Sequence, residues 1–236
     1  MLFRSRFRPI YPPELFTWLA SVAPARRLAV DVGTGNGQAA VALAAHFERV
    51  IGVEPSDDQR ANAAPAPNVE YRRGTAEATG VDAASADLLT VAQAFHWFKH
   101  DAFYAEVRRV VRPGGLLAFW CYGLTTITPA IDAAVHYYYE DLLGRFWEPE
   151  RKLVEQGYRG IAVPFDEVAV PPFAMQLRWS FDHLLGYLGT WSPRKPYREA
   201  NGHDALELAL PRLREAWGAD AERAVSWPLS VRAFRL

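Results

Sequence analysis

Leu28-Ala29-Val30-Asp31-Val32-Gly33-Thr34-Gly35-Asn36-Gly37-Gln38 joins a short apolar run to a turn carrying three glycines. Downstream, Ala40, Leu43, Ala44 and Phe47 recur at i, i+3, i+4 and i+7, the spacing that lays one helix face on a core. A strand that passes through a glycine turn into such a helix is the opening of a βα unit. The alternation continues to about residue 120, with strands expected at Leu28–Val32, 50–54, Val69–Arg72, 87–92 and 116–122. Ser56 with Gln59 three positions on has the form of a capping box. Phe103, Val107 and Val110 make another helical stripe, which Arg112-Pro113-Gly114-Gly115 is expected to close with a tight turn. The pattern predicts an α/β domain, a parallel sheet wrapped by helices.

Beyond residue 123 the texture changes. Tyr137-Tyr138-Tyr139, Trp147, Trp179, Trp191, Trp217 and Trp227 crowd a stretch that prolines break into short pieces. One or two strands are expected within 164–180, helices at Phe181–Leu188 and Ala205–Trp217, and a terminal strand at 224–235. The domain reading is an N-terminal lid over 1–27, a core over 28–123, an aromatic cap over 124–223 and a final core strand over 224–236.

Composition narrows the function classes. The 236 residues are 50% hydrophobic and carry 26 Lys+Arg against 27 Asp+Glu, a formal charge of -1, so a sizeable core is affordable and no bulk basic field draws the chain to nucleic acid. The longest apolar runs fall far short of the roughly 20 residues of a membrane helix, and no apolar region follows the arginines of 1–7. A cytoplasmic protein with a small-molecule partner, without nucleic acid or membrane, is the expectation; oligomeric state is unread. Cys121 is alone in an apolar run and reads as a small buried hydrophobe. The histidines show no metal-ligand spacing, and no metal is predicted.

A turn with three glycines lets backbone approach a ligand more closely than side chains permit. From Gly35 the spacing also satisfies a loose dinucleotide fingerprint, with Glu54 seventeen residues after Gly37. That reading sets Asp31 beside a doubly negative pyrophosphate, and like charges in a buried site are costly. A ligand presenting an ammonium and a sulfonium suits Asp31 better. Glu54, at the end of the second strand and followed by Pro55, is placed to accept from the two vicinal hydroxyls of a ribose. Gly74-Thr75-Ala76-Glu77 follows the third strand at the same edge, where it can contact an adenine.

Asp31-Val32-Gly33-Thr34-Gly35-Asn36-Gly37, Glu54-Pro55-Ser56, Gly74-Thr75-Ala76-Glu77, Val91-Ala92-Gln93-Ala94-Phe95-His96-Trp97-Phe98 and Arg112-Pro113-Gly114-Gly115 occur in this order. As a set they resemble the class I S-adenosylmethionine-dependent methyltransferases. Ala92-Gln93-Ala94-Phe95-His96-Trp97-Phe98, with Arg8-Pro9-Ile10-Tyr11-Pro12 and the late stretch from Leu184 to Ser192, is similar to their small-molecule, trans-aconitate-type carboxyl methyltransferase branch (methyltransferase type 11). The resemblance implies a doubly wound, Rossmann-like, mostly parallel seven-stranded sheet with an antiparallel last strand. It implies S-adenosyl-L-methionine held by Asp31, Gly33, Thr34, Gly35, Asn36, Gly37, Glu54, Pro55, Thr75, Ala76, Glu77, Gln93 and Ala94. Many relatives carry Asp where Thr75 stands, and most carry a longer segment before Arg8.

The function implied is methyl transfer to a small molecule, by in-line displacement onto a carboxylic acid oxygen; the other readings are an NAD(P)-dependent oxidoreductase, or a cofactor-binding protein without catalysis. His96, past the fourth strand, is the candidate catalytic base. Tyr137, Tyr138, Tyr139, Trp147, Trp191 and Tyr197 are candidate walls for the acceptor, and Arg194, Lys195 and Arg198 candidate partners for its acid.

Overall fold

The structure is a computed structural model that describes residues 7–236. In chain order its strands are β1 (Leu28–Val32), β2 (Arg49–Val53), β3 (Val69–Arg72), β4 (Ala86–Ala92), β5 (Val111–Tyr122), β6 (Asp166–Val168), β7 (Phe173–Trp179) and β8 (Arg223–Arg235). Its helices are α1 (Pro13–Val22), α2 (Gln38–Ala44), α3 (Asp57–Ala61), α4 (His100–Val110), α5 (Pro129–His136), α6 (Arg151–Glu155), α7 (Phe181–Leu188), α8 (Arg194–Asn201) and α9 (Ala205–Trp217). Two compact units result. The larger holds Ile10–Gly123, Leu153–Ala174 and Pro228–Leu236, and the smaller holds Leu124–Lys152 and Met175–Trp227 with the described residues before Ile10.

The larger unit is built on a sheet in the order β3-β2-β1-β4-β5-β8-β6, with β7 also pairing β8. β1 to β5 run parallel, and β8 is antiparallel to both β5 and β6. The sheet has eight strands rather than the seven expected, because the proline-broken stretch contributes two short strands, β6 and β7. Strands covered on both faces read as continuous apolar runs, and Val30, Leu89, Val91, Leu117 and Phe119 are all fully buried. Phe103, Val107 and Val110 of α4 complete the same core, as their spacing predicts.

Three segments depart from the sequence expectation. Arg112-Pro113-Gly114-Gly115 does not form a turn before β5 but a bulge inside it. Val111 already pairs with Ala86, and regular register resumes only at Leu116 opposite Leu88. Pro113 has no N–H for a ladder, and Gly114 sits at φ +75°, a left-handed conformation that lets the extra residues loop out. Second, residues 10–27, expected in a lid, group with the sheet. α1 opens with Pro13, whose missing N–H is harmless in a first turn, and buries Leu15, Phe16, Leu19 and Ala20, while Tyr11 meets Trp120 edge-on at 5.5 Å. Of the rest of that expectation, residues 7–9 group with the smaller unit and residues 1–6 lie outside the described residues. Third, Leu153–Ala174 groups with the sheet although its composition matches the cap. Tyr158 there is fully buried, and the thiol of Cys121, also buried, faces the Val154 carbonyl at 3.7 Å.

In the smaller unit the aromatic residues make the core. Tyr138 stacks on Trp191 with centroids 5.3 Å apart, and Trp179 meets Trp227 at 4.6 Å. α5 passes without a break into a π-helical stretch, Tyr137–Leu142. No helix among the described residues is long and apolar enough to cross a membrane.

One packing constraint lies directly under the glycine turn. A Cβ on Gly52 of β2 would stand 2.7 Å from the Tyr71 ring and 2.9 Å from Thr34 Cγ2. Gly52→Ala is therefore expected to destabilise the protein by about 1–3 kcal/mol, read as a lower urea midpoint at unchanged slope.

Candidate functional site

The sheet order reverses between β1, which continues toward β2, and β4, which begins the opposite half. In open α/β sheets ligands bind outside the carboxyl ends of the strands at such a point. The residues singled out from sequence converge there. Asp31 is paired in register with Gly52 on one side and Thr90 on the other. It is fully buried, one residue inside the end of β1. The Thr90 hydroxyl donates to Asp31 Oδ1 at 2.8 Å, whereas Oδ2 has no well-formed hydrogen bond among the described residues. Burial pushes the carboxyl up to about 6; the Thr34 and Thr90 hydroxyls and the Ala40 N–H pull the other way, and the Glu54 charge adds to the rise.

Beyond Val32 the chain folds back on β2. Gly33 and Thr34 both donate their N–H groups to the Val53 carbonyl, at 2.8 and 3.1 Å, and Gly37 donates to the Thr34 carbonyl at 2.9 Å. Gly33 and Gly37 have φ of +69° and +83°, and neither has room for a side chain. A Cβ on Gly33 would lie 2.7 Å from Ala94 Cβ, and one on Gly37 would overlap the Tyr71 hydroxyl. Gly35 is different: at φ +57° it faces open space, with no atom within 4 Å of where its Cβ would be. Asn36 is exposed, and its carbonyl accepts from the Ala64 N–H at 2.9 Å.

Glu54 is engaged with the backbone on both sides of the site. Its carboxylate is buried and folded back, Oε2 accepting from the Gly35 N–H and Oε1 from the Ser56 N–H, both at 3.0 Å. Glu54 thus braces the glycine turn against the segment containing Pro55. The Ser56 hydroxyl caps α3 by accepting from the Gln59 N–H at 3.3 Å. The other half of the expected capping box is replaced, because Glu54 has taken the Ser56 N–H. A carboxylate has about four acceptor positions, so two remain on Glu54 for hydroxyls of a ligand.

Thr75 and Ala78 exchange backbone hydrogen bonds across a small turn, with Thr75 exposed and Ala76 buried. Glu77 Oε1 accepts from the Lys99 N–H at 3.2 Å, which ties this turn to the start of α4. At the end of β4, Gln93 takes a left-handed φ of +55°, with its N–H on the Trp120 carbonyl at 2.9 Å and its Nε2 on the Tyr122 carbonyl at 3.2 Å. A strained non-glycine residue at a strand end is typical of a functional site. Ala94 follows, against Gly33, and then His96, whose Nδ1 lies 2.8 Å from the Tyr158 hydroxyl.

Three contributors were not foreseen. Thr90 carried a signal, a hydroxyl in the apolar run of β4 opposite Asp31. Tyr71 carried none; its ring fills the space vacated by Gly37 and Gly52, and burial together with the Asp31 charge pushes its hydroxyl up to about 12. Tyr158 reaches His96 from 62 positions away. In the smaller unit, Arg194 is engaged within the protein. It is ion-paired with Asp204 and donates to the Gly189 carbonyl at 2.7 Å. Lys195 faces Glu199 at 3.9 Å, and the Tyr197 hydroxyl is 3.2 Å from His203 Nε2. Among the described residues no group of three or more His, Cys, Asp or Glu is placed to hold a metal ion.

Set beside known proteins, residues 30–119 match the methyltransferase domain family. A Dictyostelium discoideum protein provisionally named a methyltransferase is 39% identical over 215 residues, 89% of this chain and 82% of its own length. A Saccharomyces cerevisiae protein, provisionally named an S-adenosylmethionine-dependent methyltransferase, is 26% identical over 65% of this chain and 57% of its own. The solved structure of an Anaeromyxobacter dehalogenans protein, provisionally named a type II methyltransferase, superposes with a TM-score of 0.90 at 48% identity, covering 97% of both chains. With a sheet that turns at β1 and β4, a glycine turn braced by Glu54 and relatives aligned over most of its length, this chain belongs to the class I S-adenosylmethionine-dependent methyltransferases.

Proposed function

We propose that the protein methylates an oxygen of a small-molecule carboxylic acid, and that Asp31, the turn 33–37, Glu54 with Pro55, Thr75, Ala76, Glu77, Gln93 and Ala94 hold S-adenosylmethionine. The carrying observation is the buried Asp31 carboxylate with one oxygen lacking a well-formed partner. An ammonium group satisfies that oxygen and offsets the cost of keeping the carboxylate ionised out of water, whereas a pyrophosphate beside it would add charge of the same sign. The open space at Gly35 leaves room for the ligand, and the two remaining acceptor positions of Glu54 suit ribose hydroxyls. Ala76 and the turn of Thr75 and Glu77 offer an edge for the adenine.

When bound, S-adenosylmethionine would supply a methyl group on a sulfonium, open to in-line attack by an acceptor oxygen with the neutral thioether as leaving group. The chain's contribution is then orientation and exclusion of water. Gln93, fixed at both its N–H and its side-chain amide, and Ala94, packed on Gly33, set the position of the β4 edge. A carboxylate acceptor is ionised near neutral pH and needs no base. Support for the acid comes from the likeness to carboxyl methyltransferases in the motif around His96, and from the engagement of His96 Nδ1 by Tyr158.

The binding half of the proposal is tested by calorimetric titration with S-adenosylhomocysteine beside NAD and NADP; micromolar binding of the first and none of the others is expected, and dinucleotide binding instead would overturn it. Glu54→Ala is expected to weaken the nucleoside by about 1–3 kcal/mol. Asp31→Asn separates binding from stability. The wild-type carboxyl is held at about 6 when folded against 3.8 unfolded, so its ionisation costs the ligand-free fold about 2–3 kcal/mol above pH 6, a cost that fades as pH falls toward 4. The asparagine variant should therefore melt higher at pH 7.5 than wild type, and lose that advantage at pH 4. It should bind S-adenosylhomocysteine at least tenfold more weakly at pH 7.5. Wild-type affinity should drop as pH falls through about 6, and the variant's should not. The acceptor class is read by incubating acids, phenols and amines with methyl-labelled cofactor; label appearing only on phenols or amines would sink the carboxylic acid.

A further inference from the structure

His96 and Tyr158 form a pair that the cofactor reading leaves unused. Both lie in the larger unit, His96 in the short turn after β4 and Tyr158 between α6 and β6. His96 Nδ1 and the Tyr158 hydroxyl are 2.8 Å apart, and the two rings stack at 27°. Tyr158 is held there against its own backbone preference. Its φ is +60°, in the left-handed region that aromatic residues avoid. The surroundings over-determine it. Its N–H donates to the Leu153 carbonyl at 2.9 Å, and its carbonyl accepts from Arg232 Nη1 at 3.0 Å, the same nitrogen that reaches the Ile161 carbonyl at 2.8 Å. Its ring is fully buried, edge-on to Phe95 at 5.4 Å and Phe119 at 5.9 Å. A strained conformation fixed from so many sides delivers the hydroxyl to one place.

We infer that Tyr158 is a positioning residue which fixes His96 in the tautomer protonated on Nε2, so that His96 meets the acceptor as a hydrogen-bond donor and not as a base. Between a phenol and a neutral imidazole, the phenol is the better donor and the unprotonated ring nitrogen the better acceptor, so the shared proton stays on Tyr158 and points at Nδ1. The single ring proton of neutral His96 is then on Nε2. An N–H suits a carboxylate acceptor, since it holds one oxygen and leaves the other to attack, while a base would find nothing to deprotonate. That last step rests on the carboxylic acid reading given above; the tautomer itself does not.

The test uses the full-length protein labelled with 15N in histidine, at pH 8. Long-range proton–nitrogen correlation spectra, with His96→Asn to assign the ring, should show His96 Nδ1 at the unprotonated and Nε2 at the protonated position. Tyr158→Phe, which keeps the buried ring, should move both nitrogens toward the averaged shifts of mixed tautomers. With an acid acceptor identified from the panel, the same variant should lose roughly threefold to tenfold in kcat/KM at unchanged affinity for S-adenosylhomocysteine. A wild-type spectrum with the proton on Nδ1 overturns the inference, as does a Tyr158→Phe variant whose nitrogen shifts stay where they were. If the panel instead labels a phenol or an amine, the acid reading fails while the spectra still decide the tautomer.

Discussion

Asp31 lies wholly out of water beside Thr90, and one hydroxyl does not replace the hydration of a carboxylate. The other features at this end of the sheet are organised about that group. Gly33 and Gly37 curl the chain over it with backbone alone; Ala94 occupies the space a Gly33 side chain would need, and Tyr71 the space at Gly37. Glu54 adds a second negative charge nearby, and its carboxylate is steadied by two N–H groups where Asp31 has only the Thr90 hydroxyl well placed. The ligand-free site thus holds two neighbouring carboxylates, one of them under-satisfied, and the proposed binding of an ammonium rests on that arrangement.

Asp87 shows the contrast within the same sheet. It too is fully buried, at the amino end of β4, but its Oδ2 accepts from the Arg27 and Leu28 N–H groups at 2.8 and 3.0 Å, and Arg112 faces Oδ1 at 2.9 Å. Two aspartates with equal burial therefore do different work. One is closed by its neighbours and holds the strands in place; the other is left open at the carboxyl end, where ligands bind in this architecture.

How much of this was legible in the sequence follows from the range of the interactions. β1 to β4, α4 and the glycine turn are specified by residues close together in the chain, through apolar period and backbone freedom, and they stand within a residue or so of where the pattern puts them. Phe181–Leu188 and Ala205–Trp217 also stand where the sequence reading puts helices, and in the structure Ser180 and Asp204 cap them. The bulge at Arg112 to Gly115 was misread because a proline followed by two glycines has the same local chemistry whether it ends a strand or loops out of one. Leu153–Ala174 groups with the sheet although its texture matches the cap, because composition does not say what a segment packs on. The convergence of residues at the site was legible from spacing, but the posture of Glu54 was not, since it depends on N–H groups 19 residues behind it and two ahead. The meeting of Tyr158 with His96 depends on contacts far apart in the chain, and no local pattern announces it.

The place of β8 in the sheet bears on how the protein is made. β5 ends at Tyr122, and its second neighbour, β8, starts at Arg223, so 100 residues of chain must be synthesised between them. At ribosomal speeds of roughly 5–20 residues per second, this leaves one edge of a strand that is apolar from Leu116 to Tyr122 unpaired for about 5–20 s. An exposed edge of that kind is a template for pairing with other chains. Emergence of β8 is therefore the event that closes the nascent sheet, and the interval before it is when this chain has most need of a chaperone.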